Sequence, residues 1–169
     1  MSTRNQTSKI LALSLLLAAA CGGAAKPEPT APHAAAHADG LQIKLTSVYV
    51  DDQAKALRFY TEVMGFAKKD DVENGGYRWL TVSAPGDAEG GQLQLALNAD
   101  PAAKAYQEHL FQQHQPAAMF FTDDVKRDYE RIKAKGATFT MPPTPVTGSI
   151  IAMLPDTCGN LVQLTQLVR

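Results

Sequence analysis

Two stretches of this chain carry one pattern. From Leu45 to Phe66, LTSVYVDDQAKALRFYTEVMGF, the positions Leu45, Ser47 and Tyr49 alternate with Thr46, Val48 and Val50, as in a strand with two different faces. Asp51 and Asp52 follow. Ala56, Phe59, Tyr60 and Val63, joined by Leu57 and Met64, then recur at helical spacing, with Lys55, Arg58 and Glu62 on the wet side. Gly65 suits a left-handed helix stop. The pattern returns from Ala117 to Ala137, AAMFFTDDVKRDYERIKAKGA: an apolar strand, Asp123 and Asp124, a stripe of Val125, Tyr129 and Ile132, and Gly136 as the stop. A paired carboxylate can hold a metal, but it also accepts from the free N–H groups of a helix start. Its recurrence at both corners favours capping.

Strands fill the intervals. Phe66 to Val72 and Tyr77 to Ser83 are expected to form a hairpin through Asn74-Gly75-Gly76. Gln92 to Asn98 alternates cleanly, Leu93, Leu95 and Leu97 on one face and Gln92, Gln94 and Ala96 on the other. Asp100-Pro101 opens a helix expected to reach about His114. After the second unit come a short strand over Thr138 to Met141, ended by Pro142-Pro143, a strand over Val146 to Leu154, a turn over Asp156 to Asn160, and a last strand over Leu161 to Val168. The order is βαβββ, a linking helix, then βαβββ. It predicts an α+β domain over residues 41–169, with module one over about 41–98, the linking helix over about 101–114 and module two over about 116–169.

The first 40 residues are different. Arg4 and Lys9 precede Ile10 to Ala20, an apolar run too short for an ordinary membrane span. It ends in Leu17-Ala18-Ala19-Ala20-Cys21, which resembles the bacterial lipoprotein signal, although leucine is commoner where Ala18 stands. That resemblance implies cleavage before Cys21 and a lipid on its thiol, so residues 1–20 are read as a signal peptide. The expected result is an exported protein anchored to the bacterial envelope; the alternative is an ordinary cleaved signal with an incidental cysteine. Residues 21–40, rich in Ala, Pro and Gly, read as a flexible tether. His33 and His37 within it, beside Pro32, are expected to form at most an adventitious metal site, and His109 and His114 are poorly spaced to share a ligand.

The formal net charge of −1 and the lack of a basic stripe argue against nucleic acid as the main partner. The two cysteines allow no disulfide inside the domain if Cys21 is acylated. Cys158, with no base near it in the chain, is expected to be structural. Arg78 is expected to form a surface salt bridge.

Val50-Asp51-Asp52 with Phe59-Tyr60 and Met64-Gly65-Phe66, then Asp123-Asp124-Val125, Tyr129-Glu130-Arg131 and Lys135-Gly136-Ala137, and the closing Asp156-Thr157-Cys158-Gly159-Asn160-Leu161, resemble the vicinal-oxygen-chelate superfamily of glyoxalases, bleomycin-resistance proteins and extradiol dioxygenases. The resemblance implies modules that curl into an incomplete barrel around a ligand cup, and in its enzymes a divalent metal held by both modules. The positions implied for those ligands are Leu45, Ala117, Gln163 and one of Gln92, Gln94 and Ala96. Aliphatic side chains donate no lone pair, and neutral amides bring no charge to a divalent ion. No metal ligand, catalytic residue or cofactor is therefore expected.

Strand parity instead lines the cup with Leu45, Ser47 and Tyr49, with Gln92, Gln94 and Ala96, with Ala117, Met119 and Phe121, and with Leu161, Gln163 and Thr165, joined by Trp79. Ser47, Tyr49, Trp79, Gln92, Gln94, Met119, Phe121 and Gln163 are the expected contacts to a small organic molecule. The competing expectations are an interior filled by its own side chains that serves as an envelope scaffold, and an enzyme using other groups. A homodimer is also expected to be accessible, since modules of this family pair across chains.

Overall fold

Asp52 starts the first helix. Its carboxylate accepts from the N–H groups of Ala54 and Lys55 at 2.8 and 2.9 Å, while Asp51 turns outward to Lys55 at 3.6 Å. Asp124 does the same in the second module, accepting from Arg127 N–H at 2.9 Å. The protein is seen here as a computed structural model that describes residues 41–87 and 89–168. The signal, tether, His33, His37 and Cys21 readings lie outside the described residues.

Module one comprises strand β1 (Leu45–Val50), helix α1 (Gln53–Arg58) and strands β2 (Ala67–Asn74), β3 (Tyr77–Ser83) and β4 (Gln92–Leu97). Helix α2 (Pro101–Gln112) links it to module two, which comprises β5 (Pro116–Phe121), α3 (Val125–Ala134), β6 (Met141–Val146), β7 (Ser149–Pro155) and β8 (Leu161–Leu167). Each module is a mixed four-stranded sheet. The orders are β1-β4-β3-β2 and β5-β8-β7-β6, with β1 parallel to β4 and β5 parallel to β8. This is the α+β fold of two βαβββ modules read from the sequence. Among the described residues no helix is long and apolar enough to cross a membrane.

Four elements differ from their sequence readings, among them the strand expected from Val146, which starts at Ser149 because Val146 ends β6 and pairs with Ser149. The first helix does not stay α-helical: Phe59–Val63 forms a π turn, which lets Phe59 and Tyr60 both enter the core. The strand expected over Thr138 to Met141 instead runs over Met141–Val146, through Pro142, Pro143 and Pro145. It is an edge strand with a register shift between Met141 and Thr144, a place where a missing N–H does least harm to the ladder. Helix α2 ends at Gln112 rather than near His114, whose φ is 55°.

One core serves both modules. Val48, Val50, Leu80, Val82, Leu93 and Leu95 of the first sheet join Ala152, Leu154, Val162 and Leu164 of the second, with Tyr60, Val125 and Ile132 from the intervening elements. Tyr60, Phe66 and Phe120 pack together across the seam with their rings tilted or edge-on, the Phe66 and Phe120 centroids 4.9 Å apart. Arg131 on α3 donates to the carbonyls of Val63 and Met64 in module one.

Candidate functional site

With Val48 and Val50 turned to the core, period-two alternation sends Leu45, Ser47 and Tyr49 to the opposite face of the first sheet. The register fixes their neighbours: Leu45 pairs with Gln92, Ser47 with Gln94 and Tyr49 with Ala96. On β3, Ser83 pairs with Gln92 and Thr81 with Gln94, so Trp79 and Tyr77 continue the same face. In the second sheet Met119 pairs with Gln163 and Phe121 with Thr165, on the face away from Val162 and Leu164.

These faces are open at some positions and covered at others, for Thr81, Ser83, Gln94 and Thr165 on them are buried. Tyr49 is 38% exposed, Met119 56% and Phe121 67%. Gln92 and Met119 meet at a cavity, described below. Ser47, Tyr49, Gln94 and Trp79 lie on the first sheet, and Phe121 and Gln163 on the second. Among the described residues no hydrogen bond joins those two groups.

The first face carries a directed network. Ser47 Oγ donates to Gln94 Oε1 at 2.7 Å, and Gln94 Nε2 donates to the Tyr77 hydroxyl at 2.7 Å. The Tyr77 proton is then directed away from Gln94. Tyr77 was not singled out from the sequence, because its place depends on the register of the hairpin; the Gly75 and Gly76 turn, with φ of 59° and 81°, sets it. On the second face Gln163 Nε2 donates to Thr165 Oγ1 at 2.9 Å.

Where the two modules meet, a cavity of about 480 Å3 opens between the start of β1, the start of β4 and the length of β5. Leu45, Phe66, Val82, Ala117, Met119 and Phe120 form its apolar wall, and Lys44, Thr46, Ser83 and Gln92 supply polar groups. Both modules contribute. Its walls include Leu45 and Ala117, two of the four positions at which the resemblance implies metal-binding side chains.

A buried polar hub fixes this seam. Asp156 accepts from the N–H groups of Cys158 and Asn160 at 2.8 and 2.9 Å, from Asn160 Nδ2 at 2.7 Å and from the Tyr60 hydroxyl at 3.1 Å. Burial pushes its carboxyl up from the ordinary value, against these donors, which hold it down. Burial, then the charge of Asp156, raises the Tyr60 hydroxyl well above its usual range. Gln107 of α2 donates to the Tyr49 carbonyl at 2.7 Å and the Cys158 carbonyl at 2.8 Å, and accepts from Asn98 at 2.6 Å. Asn160 Nδ2 also reaches the Tyr49 carbonyl, at 2.7 Å. Gln107 was not singled out from the sequence, since a buried amide on a polar helix leaves no periodic signal, and Asn160 was read only as part of the closing turn.

Arg78 forms a two-pronged pair with Asp71, at 2.8 and 3.0 Å, on the helix-side face of the first sheet. Cys158 is buried within the hub's turn, its thiol pushed up to about 12 by burial and then by the charge of Asp156.

Residues 26–164 match the profile of the Glyoxalase/Bleomycin resistance protein/Dioxygenase superfamily. The chain belongs to this superfamily. It is 48% identical over 126 residues to the protein YurT of Bacillus subtilis, covering 75% of this chain and 99% of that protein. It is 31% identical over 125 residues to a probable lactoylglutathione lyase of Vibrio cholerae, covering 72% of this chain and 87% of that protein. Among solved structures it resembles TnmS3, an antibiotic binding protein from Streptomyces sp. CB03234, at a TM-score of 0.62 and 29% identity, covering 78% of this chain and all of that one.

The metal that enzymes of the superfamily carry does not fit these residues. Leu45 and Ala117 offer only hydrocarbon to the cavity, and the Gln163 amide turns its nitrogen to Thr165. Among the described residues no three His, Cys, Asp or Glu side chains converge. A divalent ion needs oxygen, nitrogen or thiolate donors from several sides, and this cavity brings one neutral amide, the hydroxyls of Thr46 and Ser83, and the Lys44 ammonium, whose charge repels a cation.

Proposed function

We propose that this superfamily member binds a small organic molecule without a metal, seated in the cavity between its two modules and extending over the uncharged face of β1, β4 and β3. The observation that carries the reading is the cavity wall itself. Leu45 and Ala117 turn two of the family's four metal positions into an apolar surface, within about 480 Å3 of space. That volume falls in the range of small-molecule sites, roughly 300–1,000 Å3. The antibiotic-binding relative from Streptomyces supports the reading by likeness.

Two measurements test it. Elemental analysis of protein purified without a histidine tag should find no tightly held divalent ion after incubation with nickel, zinc, manganese and iron; one ion per chain would overturn the proposal. Calorimetric titration with a panel of aromatic antibiotics should give saturable binding that Ala117→Phe abolishes by filling the cavity, with the circular dichroism unchanged. Binding that survives Ala117→Phe would move the site elsewhere.

Two extensions belong to the same proposal. The exposed Met119 and Phe121 support pairing with a second copy of the chain, and light scattering should then report twice the monomer mass. The sequence of residues 1–21 supports export and a lipid on Cys21. Cys21→Ser should move the protein from the membrane to the soluble fraction; unchanged partitioning would remove the anchor.

A further inference from the structure

We infer that Asp70 anchors a positively charged nitrogen, so that the molecule bound at this site is an aromatic amine or ammonium rather than a neutral or acidic compound. The inference rests on the binding reading above and adds the charge of the ligand. It begins with a bulge. The pairing of β2 with β3 slips between Lys68 and Asp71, so that Lys69 and Asp70 together face Thr81. Bulges re-aim side chains, often beside functional sites. This one turns Asp70 away from the salt-bridged side of β2 and onto the ligand face.

The turn is locked at both ends. Asp70 N–H donates to Thr81 Oγ1 at 3.1 Å, and Thr81 Oγ1 donates back to Asp70 Oδ2 at 3.1 Å. Thr81 is fully buried and pairs with Gln94, which places Asp70 beside the Ser47–Gln94–Tyr77 network. Its sequence neighbour Asp71 is neutralised by Arg78 and Lys68 on the opposite side. Asp70 is in no such ion pair among the described residues. Lys69, the other bulge residue, is exposed and engaged in an interaction of its own.

The residues aligned on the face from β1, β4 and β3 are aliphatic, aromatic, hydroxyl or amide, while Lys44 at the cavity directs its ammonium to the Glu89 carbonyl at 2.8 Å. A half-buried carboxylate on such a surface attracts a cation more strongly than the same group in open water. Tyr77 and Trp79, aligned on the same face, add ring surfaces that favour cations further. Ser83 and Gln92 line the cavity, and Thr81 stands two residues along β3 from Ser83, about 7 Å away. A ligand must therefore extend from the cavity over Thr81, across the face of β3, to bring its nitrogen to Asp70.

The test uses two probes of nearly one shape, 9-aminoacridine, cationic near neutral pH, and acridine, neutral there. Titrated into the full chain, 9-aminoacridine should bind at least about tenfold more tightly, and the gap should shrink as salt rises. Asp70→Asn should abolish the gap and leave acridine unchanged; Thr81→Val, which frees Asp70 from its lock, should narrow it. Equal affinities in the wild type, or a gap that persists in Asp70→Asn, would overturn the anchor while acridine binding leaves the cavity reading standing. Failure of both probes to bind would remove the cavity reading and the anchor with it.

Discussion

At the scale of single residues, the environment of a group decides what it can do. Cys158 is the clearest case. Its thiol is buried and pushed up to about 12, so at ordinary pH the thiolate needed for attack is scarce. In full-length protein carrying Cys21→Ser, reaction with a disulfide reagent near pH 8 should run at least about 100-fold more slowly in the native state than in guanidinium. Comparable rates would mean that the turn opens readily. Asp71 is the opposite case. The two-pronged bond from Arg78, helped by Lys68, lowers its carboxyl to about 2. A folded value below the unfolded one stabilises the fold above the ordinary value of 3.8, and that contribution is lost as pH falls through about 2. Arg78→Gln should return the Asp71 titration toward 3.8, read from its carboxyl carbon by NMR, and should flatten the acid limb of stability between those two values. A titration that stays near 2 would assign the shift to Lys68 instead.

At the scale of elements, the turn from Asp156 to Asn160 shows how closely a loop can be specified. Gly159 has φ of 97°, and a Cβ there would stand 2.8 Å from Gln107 Nε2. Gly75 also has a positive φ, 59°, with nothing within 4 Å of an added Cβ. Gly75→Ala should therefore cost only the backbone penalty, about 1–2 kcal/mol, and Gly159→Ala that penalty plus the displaced Gln107, about 2–4 kcal/mol, in urea unfolding. Equal costs would mean that α2 yields without loss. The same comparison explains what the sequence could and could not convey. Strand parity is local and has a period of two, so alternation grouped Ser47 with Tyr49 and Gln92 with Gln94, and the family resemblance put both groups on one face. The caps at Asp52 and Asp124 were legible because their chemistry is short-range. Asp70 was not, because it reaches the ligand face only through a one-residue slip that no propensity marks. The proline-rich β6 was hidden for a related reason: its tolerance comes from lying at a sheet edge, and edges are decided by the whole fold. The exposure of Met119 and Phe121 likewise depends on how the modules pack, which alternation within one strand does not contain.

At the scale of the whole molecule, the question is whether two modules joined by one helix fold as one body or two. The core answers in part, since it runs unbroken from Val48 to Leu164 through Tyr60 and Ile132. The polar hub answers more sharply. Gln107 belongs to the linking helix, yet it satisfies the carbonyl of Tyr49 in module one and that of Cys158 in module two, and takes the Asn98 amide as well. Gln107→Leu would fill similar space while removing these partners. The Tyr49 carbonyl keeps Asn160, but the Cys158 carbonyl, Asn160 Oδ1 and the Asn98 amide each lose a partner. Buried groups left unsatisfied cost about 1–3 kcal/mol each, so a loss of about 2–4 kcal/mol is expected in urea unfolding. Stability alone would not distinguish a shared hub from a local defect; the distribution of the loss does. If the modules form one cooperative unit, Gln107→Leu should lower hydrogen-exchange protection by similar amounts in β4 of module one and β8 of module two, and Trp79 fluorescence and far-ultraviolet circular dichroism should still trace one transition. Loss of protection confined to β8, or two separated transitions, would mean that the modules unfold independently. The seam cavity would then be a meeting of two movable walls, and the Ala117→Phe test would have to be read with that motion in view.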